Sequence, residues 1–174
     1  MSDFREEYES SIDEDLREIR GALLSDRIAV LSPADPIRLP GTATVDEAIQ
    51  QMLVRRQPGV LIVDQEGRLA GIFTERDVVT RVVGQGLDAR RTLLGTVMTP
   101  NPEALGPGDR VAYAVHGMSV AGYRTVPLVD AERRPVGVVT VSDVIRWLAD
   151  LFPEAVLNLP PGGDLKHPDK VDSG

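Results

Sequence analysis

GVLIVDQEGRLAGIFTERDVV, residues 59–79, returns 66 residues later as TVPLVDAERRPVGVVTVSDVI, residues 125–145. Gly71, Thr74 and Asp77 fall on Gly137, Thr140 and Asp143 without a gap. Working outward, Pro36 to Val82 set against Pro102 to Leu148 gives 15 identities in 47 ungapped positions. An internal repeat defines the structural unit, and two copies are too few for a solenoid. The expected outcome is a pseudo-symmetric pair closing on itself.

Each copy reads as one plan. A Pro-containing extended lead-in comes first, Leu31 to Pro36 in copy one and Met98 to Pro102 in copy two. A helix follows, with Val45, Ala48, Ile49, Met52 and Leu53 on one face, matched by Val111, Ala114, Val115 and Met118. Val60 to Asp64 is an apolar run, Gln65-Glu66-Gly67 turns the chain, and Leu69 to Phe73 returns as a hairpin. A second helix starts near Thr74 and carries Val78, Val79, Val82 and Val83; its counterpart carries Val144, Ile145, Leu148, Leu151 and Phe152. The fold class is α+β, with a β-α-β-β-α order stated twice. The boundaries are an acidic amphipathic arm at 1–30, repeat one at 31–86, a linker at 87–96, repeat two at 97–152 and a tail at 153–174.

The arm holds eight acidic and three basic groups in its first twenty positions, and Ile12, Leu16, Ile19 and Leu23 form a narrow apolar stripe. That stripe either packs on its own domain or serves as a dimerisation arm. The tail, rich in Pro, Gly and charge, is expected to be largely disordered after Leu159. In the second helix of copy two, Trp147 beside Val144, Ile145, Leu148 and Leu151 gives more apolar surface than one sheet needs, which suggests a subunit contact or a large core that absorbs it.

Composition narrows the function. The net charge of −8 argues against a nucleic-acid backbone as main partner, because phosphate binding needs a basic face. There is no cysteine, so disulfides and thiolate metal sites are excluded. No apolar run approaches membrane-spanning length, and the acidic N-terminus is unlike a signal peptide, so a cytoplasmic protein is expected. No Ser-His-Asp set, metal cluster or Walker-type loop is legible, and neither His116 nor His167 has a partner in pattern. A non-enzymatic protein with no required cofactor is expected.

The chemistry gathers where each hairpin ends. Gly-apolar-apolar-Thr-x-x-Asp passes from a strand into a helix, whose first N–H groups lack partners and whose dipole favours an anion. Thr-x-x-Asp is close to a capping box, which would satisfy the helix end and nothing else. Against that stand the shortness of Asp relative to Glu or Gln, and the recurrence of the Gly, whose missing side chain would leave a ligand room.

These motifs, with VMTPNP at 97–102 and VPLVD at 126–130, resemble the CBS domain, named after cystathionine β-synthase, over roughly residues 30–151. The resemblance implies two repeats packed through their sheets into one CBS pair, two clefts related by a pseudo-twofold axis, and homodimerisation through the CBS helices. It also implies an adenosine-containing ligand: AMP, ADP or ATP first, S-adenosylmethionine or NAD second. Carried over position by position, Asp77 and Asp143 become ribose ligands, and Thr74, Thr140 and Ser142 donors to a phosphate. Val126 and Pro127 line an adenine slot, with Val60 and Leu61 as their counterparts. Copy one has Arg76 where copy two has Ser142; it is either a phosphate contact or a solvated residue screened by Glu75 and Asp77. Arg124 stands where copy one has Pro58, either as an additional cation for phosphate or as a surface residue at a strand start. The two clefts are therefore expected to differ. The function implied is a regulatory sensor that signals nucleotide occupancy to a partner protein; the alternative is a dimerisation or docking module without a functional ligand.

Overall fold

The computed structural model describes residues 17–151. Residues 17–25 form helix α1, and a 3-10 turn follows at Ile28–Leu31. Repeat one continues with β1 (Arg38–Pro40), α2 (Val45–Arg55), β2 (Gly59–Val63), β3 (Leu69–Thr74) and α3 (Glu75–Asp77). The helix does not stop there; it widens into a π turn at Val78–Val82 and closes as a 3-10 turn at Val83–Gln85. Repeat two contains α4 (Leu94–Val97), β4 (Thr99–Pro100), α5 (Val111–Val120), β5 (Thr125–Val129), β6 (Pro135–Thr140) and α6 (Val141–Leu151).

Local chemistry sets these boundaries. Thr44 and Glu47 cap α2 reciprocally, the Thr44 N–H donating to Glu47 Oε2 at 2.7 Å and the Glu47 N–H to Thr44 Oγ1 at 3.2 Å. The β2–β3 turn is fixed by Asp64, whose carboxylate accepts from the N–H groups of Glu66 (3.0 Å) and Arg68 (2.8 Å) and from Arg68 Nε (2.9 Å). Gly67 supplies the positive φ of 77° that this turn requires.

The two lead-ins cross between repeats. The first sheet has the order β1-β2-β3-β4, and β4, which belongs to repeat two, pairs antiparallel with β3. In return, Ala34 of repeat one exchanges both backbone hydrogen bonds with Val138 of β6, at 3.1 and 3.0 Å. The β-α-β-β-α order is complete in repeat one. In repeat two the first strand shrinks to a single parallel bridge from Leu105 to Leu128, the register counterpart of Leu39 to Ile62. Its neighbour Gly106 donates its N–H to the Asp109 carboxylate at 2.7 Å, which ends the ladder after one residue.

Each repeat has its own core. Val60, Ile62 and Phe73 anchor the first, and Leu128, Val139 and Trp147 the second; Leu61, Leu69 and Ile72 form a third cluster with Ala104 and Val129 between the repeats. Several expectations change here. The stretch read as a linker places Leu94 in the first core, and Val97, read as the first residue of repeat two, joins it there. Trp147 is buried rather than offered to a subunit, and its Nε1–H donates to Asp26 Oδ2 at 3.3 Å. At the described end of the N-terminal stripe, Ala22 and Leu23 of α1 pack on the second core. Ile12, Leu16 and the tail from Phe152 lie outside the described residues.

The repeated glycines serve the crossing. A Cβ at Gly71 would overlap the Met98 sulfur of the incoming lead-in, and one at Gly137 would lie 3.1 Å from Pro33 Cβ. They admit backbone and side chains of the opposite repeat. Gly71→Ala should therefore destabilise by about 1–3 kcal/mol in urea unfolding. Adding Met98→Ala should make the double variant less unstable than the sum of the two single changes.

The Asp64 carboxyl is held below its ordinary value, first by the Arg68 N–H and then by the Arg68 guanidinium. A depressed carboxyl adds stability that is present above the unfolded-state value and lost as pH falls through the folded one. Asp64→Asn should accordingly lower the melting temperature at pH 7, and the difference should shrink and vanish as acidification protonates the folded-state carboxyl.

Candidate ligand cavity

A cavity of about 1060 Å³ opens between the repeats and takes its walls from both. Repeat one supplies the start of α3, with Thr74, Arg76 and Asp77. Repeat two supplies the crossing lead-in around Thr99 to Leu105, the end of α5, and the start of β5 with Arg124, Val126 and Pro127. The volume is at the upper end of the range for small-molecule sites.

Both repeated acids fold back onto their own helix starts. Asp77 Oδ2 accepts the Thr74 N–H and the Thr74 hydroxyl, each at 2.8 Å. Asp143 Oδ2 accepts the same pair from Thr140 at 2.8 and 2.7 Å. The second oxygens meet arginines: Arg81 Nε lies 3.2 Å from Asp77 Oδ1, and Arg146 Nη1 3.0 Å from Asp143 Oδ1. The shorter Asp side chain does close the box, contrary to the sequence argument. A carboxylate has about four lone-pair sites; both Thr74 bonds fall on Asp77 Oδ2, and Oδ1, with Arg81 beside it as an ion partner, keeps acceptor capacity for a ligand hydroxyl.

Arg81 also donates to the Val97 carbonyl at 2.8 Å and the Thr99 hydroxyl at 3.0 Å. It thereby links Asp77 to the lead-in of the opposite repeat. Its counterpart in repeat two is Trp147, so this link exists once.

The expected site residues separate into two groups. Thr74, Arg76, Asp77, Arg124, Val126 and Pro127 are brought together around the cavity. Val60, Leu61, Thr140, Ser142 and Asp143 do not line it; Val60 packs in the first core and Leu61 in the cluster between repeats. Both Arg76 and Arg124 are exposed, and neither forms an ion pair among the described residues.

Other lining residues escaped the sequence reading. Tyr113 and Tyr123, 58% and 41% exposed, line the cavity and bring aromatic surface to it. His116, read as surface or packing, also lines the cavity. Arg133 holds a positive φ of 63° where copy one has Gly67, a conformation that costs a non-glycine residue free energy. Its Nη2–H donates to the Pro102 carbonyl at 3.1 Å, holding the guanidinium at the cavity edge. The signal was legible as difference rather than repetition: Ala121, Gly122 and Tyr123 replace Arg55, Arg56 and Gln57 of copy one. Small residues open the turn, and an aromatic ring fills part of it.

The electrostatics are local. Arg76, Arg81, Arg124 and Arg133 face Glu75, Asp77 and Glu103 around this cavity, an excess of cations in a chain of net charge −8. That arrangement suits an anion.

The CBS domain family matches residues 13–84 and again 94–150. The chain belongs to the CBS domain family. Its two repeats make a CBS pair, and solved pairs share the fold. The CBS domain pair of protein MJ0100, in complex with 5′-methylthioadenosine and S-adenosyl-L-methionine, is 26% identical with a TM-score of 0.65, over 72% of this chain and 97% of that one. CBS domain protein PAE2072 from Pyrobaculum aerophilum, complexed with AMP, is 25% identical with a TM-score of 0.63, over 72% and 99%. Among curated proteins, the meiotically up-regulated gene 70 protein of Schizosaccharomyces pombe is 38% identical over 101 residues, 58% of this chain and 14% of that protein. The Arabidopsis thaliana protein CBSCBSPB1 is 31% identical over 114 residues, 66% of this chain and 20% of that protein. The CBS pair thus spans only a fifth or less of the length of these two curated relatives.

Arg81 should matter to the fold as well as to the cavity. Arg81→Met removes the partner of a buried carboxylate and two further hydrogen bonds, and should cost about 1–2 kcal/mol in denaturant unfolding, discounted for the partial exposure of the guanidinium.

Proposed function

We propose that this CBS pair is a regulatory module that binds one adenosine-containing ligand in the cavity between its repeats. The observation that carries the reading is the mixed wall: helix-start polar groups from repeat one face an apolar strand and two tyrosines from repeat two, under an excess of arginine. Two similar CBS proteins hold adenosine compounds, AMP in one and 5′-methylthioadenosine with S-adenosyl-L-methionine in the other. In this reading Val126, Pro127 and the tyrosines take the base, and Asp77 accepts one sugar hydroxyl. Arg76 and Arg124 take the phosphate, and the Thr74 hydroxyl joins them when it turns from Asp77 Oδ2. Four guanidinium groups favour a phosphorylated ligand such as AMP, ADP or ATP over S-adenosylmethionine, whose sulfonium is cationic.

Signalling follows from where Arg81 sits. A sugar hydroxyl at Asp77 competes with Arg81, whose other bonds hold Val97 and Thr99 of the crossing lead-in. Occupancy thus shifts the placement of the repeats by as much as the ligand prefers one placement, and a partner protein reads that shift. We further propose a non-enzymatic, cytoplasmic role. Among the described residues, no group of three or more potential ligands is placed to hold a metal, and no helix is long and apolar enough to cross a membrane.

One observation favours the docking alternative. Val54 and Val120, equivalent in the two repeats, are 79% and 72% exposed, and Val79 and Ile145, also equivalent, are 63% and 60% exposed. Apolar residues repeated on the outer helical faces suit a homodimer through the CBS helices.

Thermal melts test the ligand reading. At a hundredfold excess over Kd, AMP should stabilise the wild type by about 2.7 kcal/mol. Asp77→Asn should abolish the shift, Arg124→Ala should shrink it, and Asp143→Asn should leave it intact. Equal shifts in all four proteins would remove the site assignment, and no shift with AMP, ADP, ATP, S-adenosylmethionine or NAD would leave the docking role.

A further inference from the structure

The β5–β6 turn repeats the chemistry of the β2–β3 turn with one substitution that costs free energy. Asp130 accepts the N–H groups of Glu132 and Arg134 at 3.0 and 2.7 Å, as Asp64 accepts those of Glu66 and Arg68. The left-handed place in this turn belongs to Gly67 in copy one and to Arg133 in copy two, at φ 77° and 63°. A side chain there is strained, and strain retained at one position implies a task for the side chain that bears it.

The guanidinium shows what that task is. Arg133 Nη2 donates to the Pro102 carbonyl at 3.1 Å and Nε to the Leu69 carbonyl at 3.4 Å, while the Leu69 N–H donates to the Arg133 carbonyl at 2.8 Å. One residue thus ties three segments: the turn of repeat two, the start of β3 in repeat one, and the crossing lead-in. The 66-residue register carries Pro102 and Leu69 onto Pro36 and Pro135. Those two carbonyls are bridged as well, by Arg38. Its Nη1 lies 3.4 Å from the Pro36 oxygen, and its Nε and Nη2 lie 3.2 and 3.1 Å from the Pro135 oxygen. Arg38 is not the counterpart of Arg133, since the register sets it against Ala104. The same pair of acceptors is therefore filled in both halves by guanidinium groups that arrive from different elements. Pro135 has no N–H to return, and Arg38 places two donors on its oxygen instead. The shared feature is the bridge between a lead-in and the opposite hairpin, not the position of either charge.

The two bridges differ in what they hold. The lead-in pinned by Arg133 lines the cavity from Asn101 to Leu105, whereas Pro36 does not border it. We propose that Arg133 is a positioning residue for the cavity: by pinning Pro102 to the start of β3, it fixes the wall from Asn101 to Leu105 before a ligand arrives. A wall already ordered does not have to be ordered on binding, which favours affinity. The effect on AMP rests on the nucleotide reading of the cavity; the effect on the wall does not.

Arg133→Gly is the informative variant, because glycine takes the left-handed place without strain and leaves both carbonyls open. Two measurements on the full chain apply: calorimetric titration with AMP, and hydrogen exchange of the Asn101 amide, which donates to the Ala70 carbonyl at 2.9 Å. Arg133→Gly should bind AMP about tenfold more weakly and exchange Asn101 faster than the wild type. Arg133→Lys, which keeps the charge and loses the planar fork, should be weakened likewise. Methylguanidinium at millimolar concentration should restore affinity and protection to Arg133→Gly and leave the wild type unchanged. Arg38→Ala removes the other bridge and should keep wild-type affinity for AMP. Wild-type affinity in Arg133→Lys would make the residue a plain cation, and equal weakening by Arg38→Ala would make it a general brace; either overturns the proposal. So does unchanged Asn101 exchange in Arg133→Gly. A wild type that binds no AMP would overturn the nucleotide reading alone, and Asn101 exchange would then decide the positioning role.

Discussion

The exchange of lead-ins between repeats is the constraint on which the structure depends. Each repeat lends an extended segment to the other's hairpin: β4 adds to β3, and Ala34 closes on Val138. Neither segment can approach unless the hairpin surface is bare, which is why glycine stands at 71 and 137 with Met98 and Pro33 against it. An unpaired sheet edge is a liability, and here the free edges of β3 and β6 are covered by chain from the opposite copy. The crossing also builds the cavity. It carries residues 99–105 of repeat two across to the helix start of repeat one, so one site draws its polar end and its apolar wall from different repeats.

That geometry changes what the repeated acids do. Asp77 and Asp143 each hold a helix start together before any ligand arrives, through an amide, a hydroxyl and an arginine. A capping role and a binding role are compatible because a carboxylate has more lone pairs than the cap uses. What distinguishes the two acids is the second partner. Arg146 comes from the same helix and is 66% exposed, whereas Arg81 is tied to the crossing lead-in. Only the first acid is coupled to the arrangement of the repeats.

The pair is symmetric in backbone and asymmetric in charge. Core positions such as Val45 and Val111, or Phe73 and Val139, occupy matching buried places. Charges do not follow that register. Four arginines surround the cavity without counterparts, and the counterpart wall carries Arg38 and Arg55 neutralised in part by Asp35. Packing requires similar volume at symmetric sites, whereas an exposed charge costs the fold little when it moves. Ligand preference can therefore diverge between the halves while the architecture stays fixed.

By itself the chain determined the repeat, the helices, the hairpins and the residues at each helix start. Those features depend on local periodicity, turn chemistry and capping, which are written within a few residues of where they act. The family resemblance came from the same motifs. Tertiary structure alone decided that the lead-ins cross, that Val126 and Pro127 face Thr74 and Asp77 rather than Thr140 and Asp143, and that Trp147 is buried against Asp26. It also decided that Tyr113, Tyr123 and Arg133 border the cavity and that Leu94 and Val97 belong to a core. Each of these is a contact between residues far apart in sequence, and register within one copy says nothing about which copy supplies the opposite wall.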